Sequence, residues 1–242
     1  EGIFDVNGMS LFIPHHQENY ILGLLNSKVA ASILRVLNPT LATQPGNIES
    51  IPLVMSEEHK MIDSLVQNCV DISEEAYGFC ESNFEFKSFP FFDGNKADLE
   101  EQYDLLCKYW TNKFFRLKGN EEELNRQFIQ IYGLQDELTP DVPLEDITIL
   151  KEETSIENGE LVFDQKEVFS QFISYAVGCM FGRYSVDKEG LILANQGETL
   201  RDYLVKVAKQ ESELSFTPDD DNIIPILDDE WFEDDIVGRF HE

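Results

Sequence analysis

The sequence predicts an α+β fold, and three observations lead there. Apolar residues recur at spacings of three and four over several long windows, the signature of amphipathic helices. Shorter segments alternate, or carry β-branched runs, as strands do. A composition of 42% hydrophobic and 12% aromatic residues in 242 supplies a sizeable core, and eighteen Phe with eight Tyr argue against disorder.

The chain opens on "GIFDVNGMSLFIP", which alternates about Asn7-Gly8 and predicts a hairpin. From Gln17 the period changes. Leu22, Leu25, Val29, Ile33 and Leu37 share one face of a helix that Asn38-Pro39 ends, because proline disfavours helical geometry in the residue before it. Residues 47–54 predict a short strand. Ser56 is placed to cap a second helix, with Glu57 and Glu58 in its first turn and Ile62, Leu65, Val66, Cys69 and Val70 as its buried stripe. Residues 80–95 predict a loop packed by aromatics. Asp98 with Glu101 resembles a capping box, opening a helix with the stripe Leu99, Tyr103, Leu106, Trp110, Phe114 and Leu117. Asn120 with Glu123 repeats the box and predicts a fresh helix through Leu124, Phe128 and Ile131, closed by Gly133.

After Gly133 the composition turns acidic and proline-containing, and residues 147–150 predict a strand or extended linker. A helix is expected over about Glu167 to Phe181, burying Phe169, Phe172, Ile173, Ala176 and Met180, with Gly178 and Gly182 permitting close helix packing. Residues 190–194 predict a strand. From Glu211 the tail is strongly acidic, with Arg239 its basic residue.

Several function classes recede on this reading. The four cysteines, Cys69, Cys80, Cys107 and Cys179, are widely spaced without a CxxC pair, which fits thiols of a reducing cytoplasm. No apolar run approaches the roughly 20 residues that span a bilayer, so no membrane partner is expected. A first residue of Glu1, not Met, suggests a fragment of a longer protein. His15 and His16 lack the H-E-x-x-H spacing of a zinc site, and the runs at Asp219 and Asp228 lack the alternation and glycine of a calcium loop. No metal site is assigned.

Adenine amino-methyltransferases use an Asn/Asp-Pro-Pro-aromatic loop to hold a flipped base. Asn38-Pro39-Thr40-Leu41 lacks the second proline and the aromatic and follows a helix, so it is read as a helix stop. No glycine-rich strand-to-helix turn for a nucleotide is present. The chain is therefore assigned no catalytic and no cofactor-binding residue. Lys28, Ser32 and Arg35 fall at i, i+4 and i+7 on the predicted first helix. They form either a row for DNA phosphates or an ordinary solvated face. Gln44 and Asn47, in the segment that follows, are candidates for base edges. A net charge of −29 repels a phosphate backbone, so DNA contact has to be local.

Three stretches carry a family resemblance. They are "YILGLLNSKVAASILRVLNPTLATQPGNIESIPL" with the helix "SEEHKMIDSLVQNCVDI"; "ELNRQFIQIYGLQDELTPDVPLEDITI"; and "FISYAVGCMFGRYSVDKEGLILA" with "FTPDDDNIIPILDDEWFEDDIVGRF". Together they resemble the C-terminal part of large adenine-specific DNA methyltransferases, the PglX-type enzymes of BREX phage resistance and their type IIG restriction relatives. The resemblance implies that residues 1–55 close a target-recognition domain, 56–133 form a helical spacer, and 134–242 form a smaller, acidic α/β part. It implies a parent enzyme that transfers a methyl group from S-adenosylmethionine to adenine N6, with the catalytic domain and its NPPY loop upstream. This region would then help to recognise and position double-stranded DNA without itself being catalytic. Other proteins of the defence system are possible partners, and an acidic protein–protein interaction module is the alternative role.

Overall fold

The structure is a computed structural model, and it describes residues 11–38, 44–90, 98–221, 223–226 and 235–241. The expected hairpin about Asn7-Gly8, Pro39-Thr40-Leu41, the end of the aromatic loop and the acidic run at Asp228 lie outside them. Among the described residues are eight α-helices and one two-stranded antiparallel sheet, an α+β composition. The helices are α1 (Glu18–Leu25), α2 (Lys28–Leu37), α3 (Pro45–Glu49), α4 (His59–Phe79), α5 (Leu99–Tyr132), α6 (Gln165–Met180), α7 (Leu200–Val207) and α8 (Ile236–His241). The strands are β1 (Thr154–Glu157) and β2 (Glu160–Phe163). The chain divides into two compact units, residues 1–73 with 112–148 and residues 74–111 with 149–242.

In the first unit, the helix expected from Gln17 to Leu37 is two helices that meet at 73°. Asn26 closes α1 by donating from Nδ2 to Leu22 O at 2.9 Å. Ser27 then caps α2: its Oγ accepts from Ala30 N at 3.3 Å and donates to Leu24 O at 2.7 Å. The elbow moves the buried set to Tyr20, Gly23, Leu24, Val29 and Ala30, and leaves Leu22 and Leu37 of the expected stripe exposed. Asn38 adopts an extended conformation as the C-cap of α2, so the helix ends where the proline rule puts it. Residues 47–54 are not a strand. Pro45 opens the short helix α3, with Asn47 Oδ1 accepting from Gln44 N at 2.9 Å, and residues 52–56 join no ladder. The helix expected from Ser56 begins at His59. Ser56 shapes its approach, its Oγ accepting from Glu58 N at 3.1 Å.

The core of this unit joins Tyr20, Leu24, Val29, Ala30, Ile51, Ile62, Val66, Leu124, Phe128 and Ile129. Gly23 is its tightest point, since a Cβ there would lie 2.6 Å from Val66 Cγ2 and 3.4 Å from Phe128 Cε2. The second capping box does not start a helix, because α5 runs unbroken through Asn120 for 34 residues. The reason is register. Trp110, Phe114, Leu117, Leu124 and Phe128 form one continuous stripe at spacings of three and four, with position 121 inside it. That position holds Glu121. Burial, with help from the Asp146 carboxylate, pushes the Glu121 carboxyl up to about 7, and burial beside Glu121 pushes the Cys69 thiol up to about 11. Gly133, at φ +68°, closes α5 as expected, Leu134 N donating to Ile129 O at 2.9 Å.

The second unit is an aromatic core. Phe89 of the loop after α4 packs against Phe79 at 5.4 Å and Phe172 at 5.6 Å, and Phe86 against Tyr184 at 5.2 Å. Asp98 caps α5 as predicted, accepting from Glu101 N at 2.9 Å. Residues 147–150 are not a strand, although Ile147, Ile149 and Leu150 are buried. The sheet is the hairpin β1–β2, where Asn158 (φ 53°) and Gly159 (φ 82°) make the turn between Glu157 and Glu160. Asp164 caps α6, and the buried face is Val168, Phe172, Tyr175, Cys179 and Met180, so Ile173 points to solvent. A Cβ at Gly178 would meet the Tyr184 ring at 2.6 Å, so this glycine admits an aromatic ring rather than a helix. Gly182, at φ +68°, lies past the end of α6. Residues 190–194 bond to residues 182–183 through Ile192 N to Arg183 O and Leu193 N to Gly182 O, and are not a strand.

Two measurements test this packing. Gly23→Ala forces a methyl group against a stiff, β-branched Val66, and is expected to lower stability by about 1–3 kcal/mol in urea melts. Glu121 titrates near 4.5 unfolded and about 7 folded, so stability falls as pH rises through that window and then levels off. Glu121→Gln is expected to flatten the slope and to raise stability at pH 8 by about 1 kcal/mol, the full shift being discounted for solvent screening.

Candidate nucleic-acid interface

The expected DNA-facing residues fall on α2, on α3 and at the α3 N-cap, all within the first unit. Lys28, Ser32 and Arg35 do lie on one helix, separated by seven residues or roughly 10 Å of rise. Their situations differ. The Lys28 backbone N–H donates to Asn125 Oδ1 at 2.9 Å, and its ammonium donates to Asp141 O. Asn125 is 5% exposed, and its Nδ2 donates to Pro140 O at 3.2 Å. One buried amide thus ties the first turn of α2 to α5 and to the segment after it. Ser32 is half-buried. Arg35 is exposed, and among the described residues its guanidinium has no ion pair or hydrogen bond.

The loop candidates are drawn in by capping. Asn47 Oδ1 accepts from Gln44 N and, at 3.1 Å, from Asn38 Nδ2, which fastens α3 to the C-cap of α2. Gln44 is exposed. Arg35, Gln44 and Asn47 therefore gather at the C-terminal end of α2, while Lys28 is anchored at the other end.

The distribution of carboxylates along the chain is uneven. The thirty residues from Asn19 to Ile48 contain no Asp or Glu, whereas 47 of the 242 residues are acidic. At the average density this stretch would hold five or six carboxylates. It is the longest carboxylate-free run in the sequence, ahead of residues 168–186 and 105–120, and it carries Lys28 and Arg35. Also unforeseen are Tyr20 and Tyr132, whose hydroxyls hold residues 52–54 beside this surface: Tyr20 Oη donates to Val54 O at 2.8 Å and Tyr132 Oη to Pro52 O at 2.5 Å. Tyr20 is buried and Tyr132 partly so, and neither was assigned to a buried stripe in the sequence.

Among the metal-like motifs, the carboxylates of Asp219, Asp220 and Asp221 lie within 4.8 Å of one another. His15 Nδ1 lies 2.8 Å from Glu18 Oε1 at the start of α1. Asp219 and Asp221 accept backbone N–H groups of their own turn, including Ile223 N at 3.1 and 2.8 Å. No single described helix is long and apolar enough to cross a membrane.

The chain is similar over nearly its whole length to segments of two curated proteins. The adenine-specific methyltransferase PglX of Lacticaseibacillus casei (strain Zhang) is 32% identical over 249 residues, covering 99% of this chain and 19% of the relative. The adenine-specific methyltransferase BrxX of Escherichia coli O9:H4 (strain HS) is 28% identical over 247 residues, covering 99% of this chain and 20% of the relative. The chain matches a segment of PglX-type adenine-specific methyltransferases. It spans about a fifth of the length of these curated relatives. No protein-family model matches it.

The Asn125 bridge is the feature of this site most open to test. Asn125→Leu leaves Lys28 N and Pro140 O without their partner, and is expected to cost about 1–3 kcal/mol in denaturation and to speed exchange of the Lys28 amide.

Proposed function

We propose that this chain is the non-catalytic DNA-recognition and positioning part of an S-adenosylmethionine-dependent adenine-N6 DNA methyltransferase of the PglX type, acting in phage defence or restriction-modification. The observation that carries the reading is the thirty-residue carboxylate-free run, the longest in the sequence, because it supplies a local exception of the kind that a chain of net charge −29 needs to approach DNA. The match to adenine-specific methyltransferases over nearly the whole chain supports the enzyme class.

The mechanism follows from the charges. Arg35, with Lys28 at the other end of α2, meets the backbone of double-stranded DNA and fixes register, as phosphate contacts do. Gln44 and the amide nitrogen of Asn47, at the junction of α2 and α3, face the groove, where amides pair with base edges. Ser32 lies between the two cations along the helix. The acidic remainder keeps DNA from spreading over the surface and confines contact to this edge. S-adenosylmethionine and the reacting adenine are handled by the rest of the enzyme, since no nucleotide motif was found in this chain.

Arg35→Glu is the cleanest test, because among the described residues the Arg35 side chain makes no hydrogen bond or ion pair. In the full-length enzyme it is expected to lower kcat/KM for DNA about tenfold at low salt and to reduce the salt slope of binding by about 1. Lys166→Glu, at an exposed position in the first turn of α6, is expected to leave both unchanged. Methyl transfer to DNA by residues 1–242 alone, or an Arg35→Glu enzyme with unaltered binding, would overturn the assignment.

A further inference from the structure

Residues 52–55 are held along one edge only. Tyr132 Oη donates to Pro52 O at 2.5 Å and accepts from Val54 N at 3.3 Å, while Tyr20 Oη donates to Val54 O at 2.8 Å. In an extended chain the main-chain groups of alternate residues point to the same side. Three bonds to residues 52 and 54 on one side therefore turn the N–H and C=O groups of Leu53 and Met55 to the other. Among the described residues, neither Leu53 nor Met55 makes a hydrogen bond. Leu53, Val54 and Met55 are 46%, 42% and 45% exposed. Three consecutive exposed apolar residues, with one edge of the backbone pinned and the other unpaired, have the properties of a sheet edge awaiting a strand.

We propose that Leu53 and Met55 pair through their main-chain groups with a β-strand from another part of the longer methyltransferase polypeptide, an inference that rests on the proposed function. The small size of the edge selects that occupant. Two N–H and two C=O groups are too few to hold a free peptide against the loss of its translational freedom. A strand on the same polypeptide meets the edge at high effective concentration and avoids most of that cost. The relatives have the length to supply it, since this chain matches only 19% and 20% of theirs. The strand lies antiparallel or parallel to residues 53–55, with its side chains alternating across the apolar surface of Leu53 and Met55.

Amide-resolved hydrogen exchange on the full-length enzyme, with residues 1–242 as the reference, tests the pairing. The Leu53 and Met55 amides are expected to exchange about a hundredfold more slowly in the full-length enzyme, while Val54, already bonded to Tyr132, is equally slow in both. Met55→Pro removes one donor and is expected to speed exchange at Leu53 in the full-length enzyme without altering Val54. Equal, fast exchange of Leu53 and Met55 in both proteins overturns the proposal. So does protection in residues 1–242 alone that grows with concentration, which would assign the edge to a second copy. Methylation by the same full-length preparation keeps the two readings apart. Active enzyme with unprotected amides removes only the pairing, and inactive protein with protected amides removes only the enzyme assignment.

Discussion

The first unit depends on the absence of one side chain. At Gly23, α1 comes so close to α4 and α5 that a methyl group would overlap Val66 and press on Phe128. The approach has consequences in both directions along the chain. Three residues earlier, Tyr20 is brought edge-on to Phe128 at 5.4 Å, with its hydroxyl reaching Val54. Four residues later, Ser27 is buried where it can close one helix and open the next. The direction of α2, and so the placing of Arg35 and of α3, is set by that contact and by the Asn125 bridge together. A surface for DNA has to be rigid enough to hold register, and packing of this density supplies rigidity that polar contacts at a solvated face do not.

Much of this was legible in the residues, and the failures have physical causes. Signals that stand at true helix ends were legible: Asp98 at the start of α5, and Asn38 at the end of α2. The box at Asn120 misled because local capping chemistry competes with a stripe already in register, and five buried apolar side chains outweigh one side-chain hydrogen bond. The elbow at Asn26-Ser27 was missed for the opposite reason. The spacing of Leu22, Leu25 and Val29 continues through it, so periodicity alone saw one helix while the serine cap lay within the stretch. The hairpin turn at Asn158-Gly159 is as strong a signal as Asn7-Gly8 and went unread, because its flanking strands are four residues each and half polar. The helix α7, framed by Thr199 and Asp202, was missed for want of a long stripe. For the candidate site, the α2 residues were placed correctly on one helix, but the tie of Lys28 to Asn125 and Asp141 joins positions about a hundred residues apart and leaves no trace in local spacing.

Charge connects this fold with its proposed role. An acidic chain excludes DNA by default, so the informative feature is where the carboxylates stop. Their longest interruption runs from Asn19 to Ile48, between Glu18 of α1 and Glu49 of α3, and it includes the close approach at Gly23. Specificity can be built this way without strong attraction: a narrow permissive edge inside a repelling surface favours one orientation over many.

The tyrosine pair gives the fold an unusual economy. Tyr20 and Tyr132 occupy helices that would pack as well with phenylalanine, so what they add is two oxygen atoms. Those atoms are all that gives residues 52–54 a defined edge. Losing the Tyr20 hydroxyl would release Val54 O, and losing the Tyr132 hydroxyl would release Pro52 O and Val54 N, so each oxygen fixes a different part of one short ribbon.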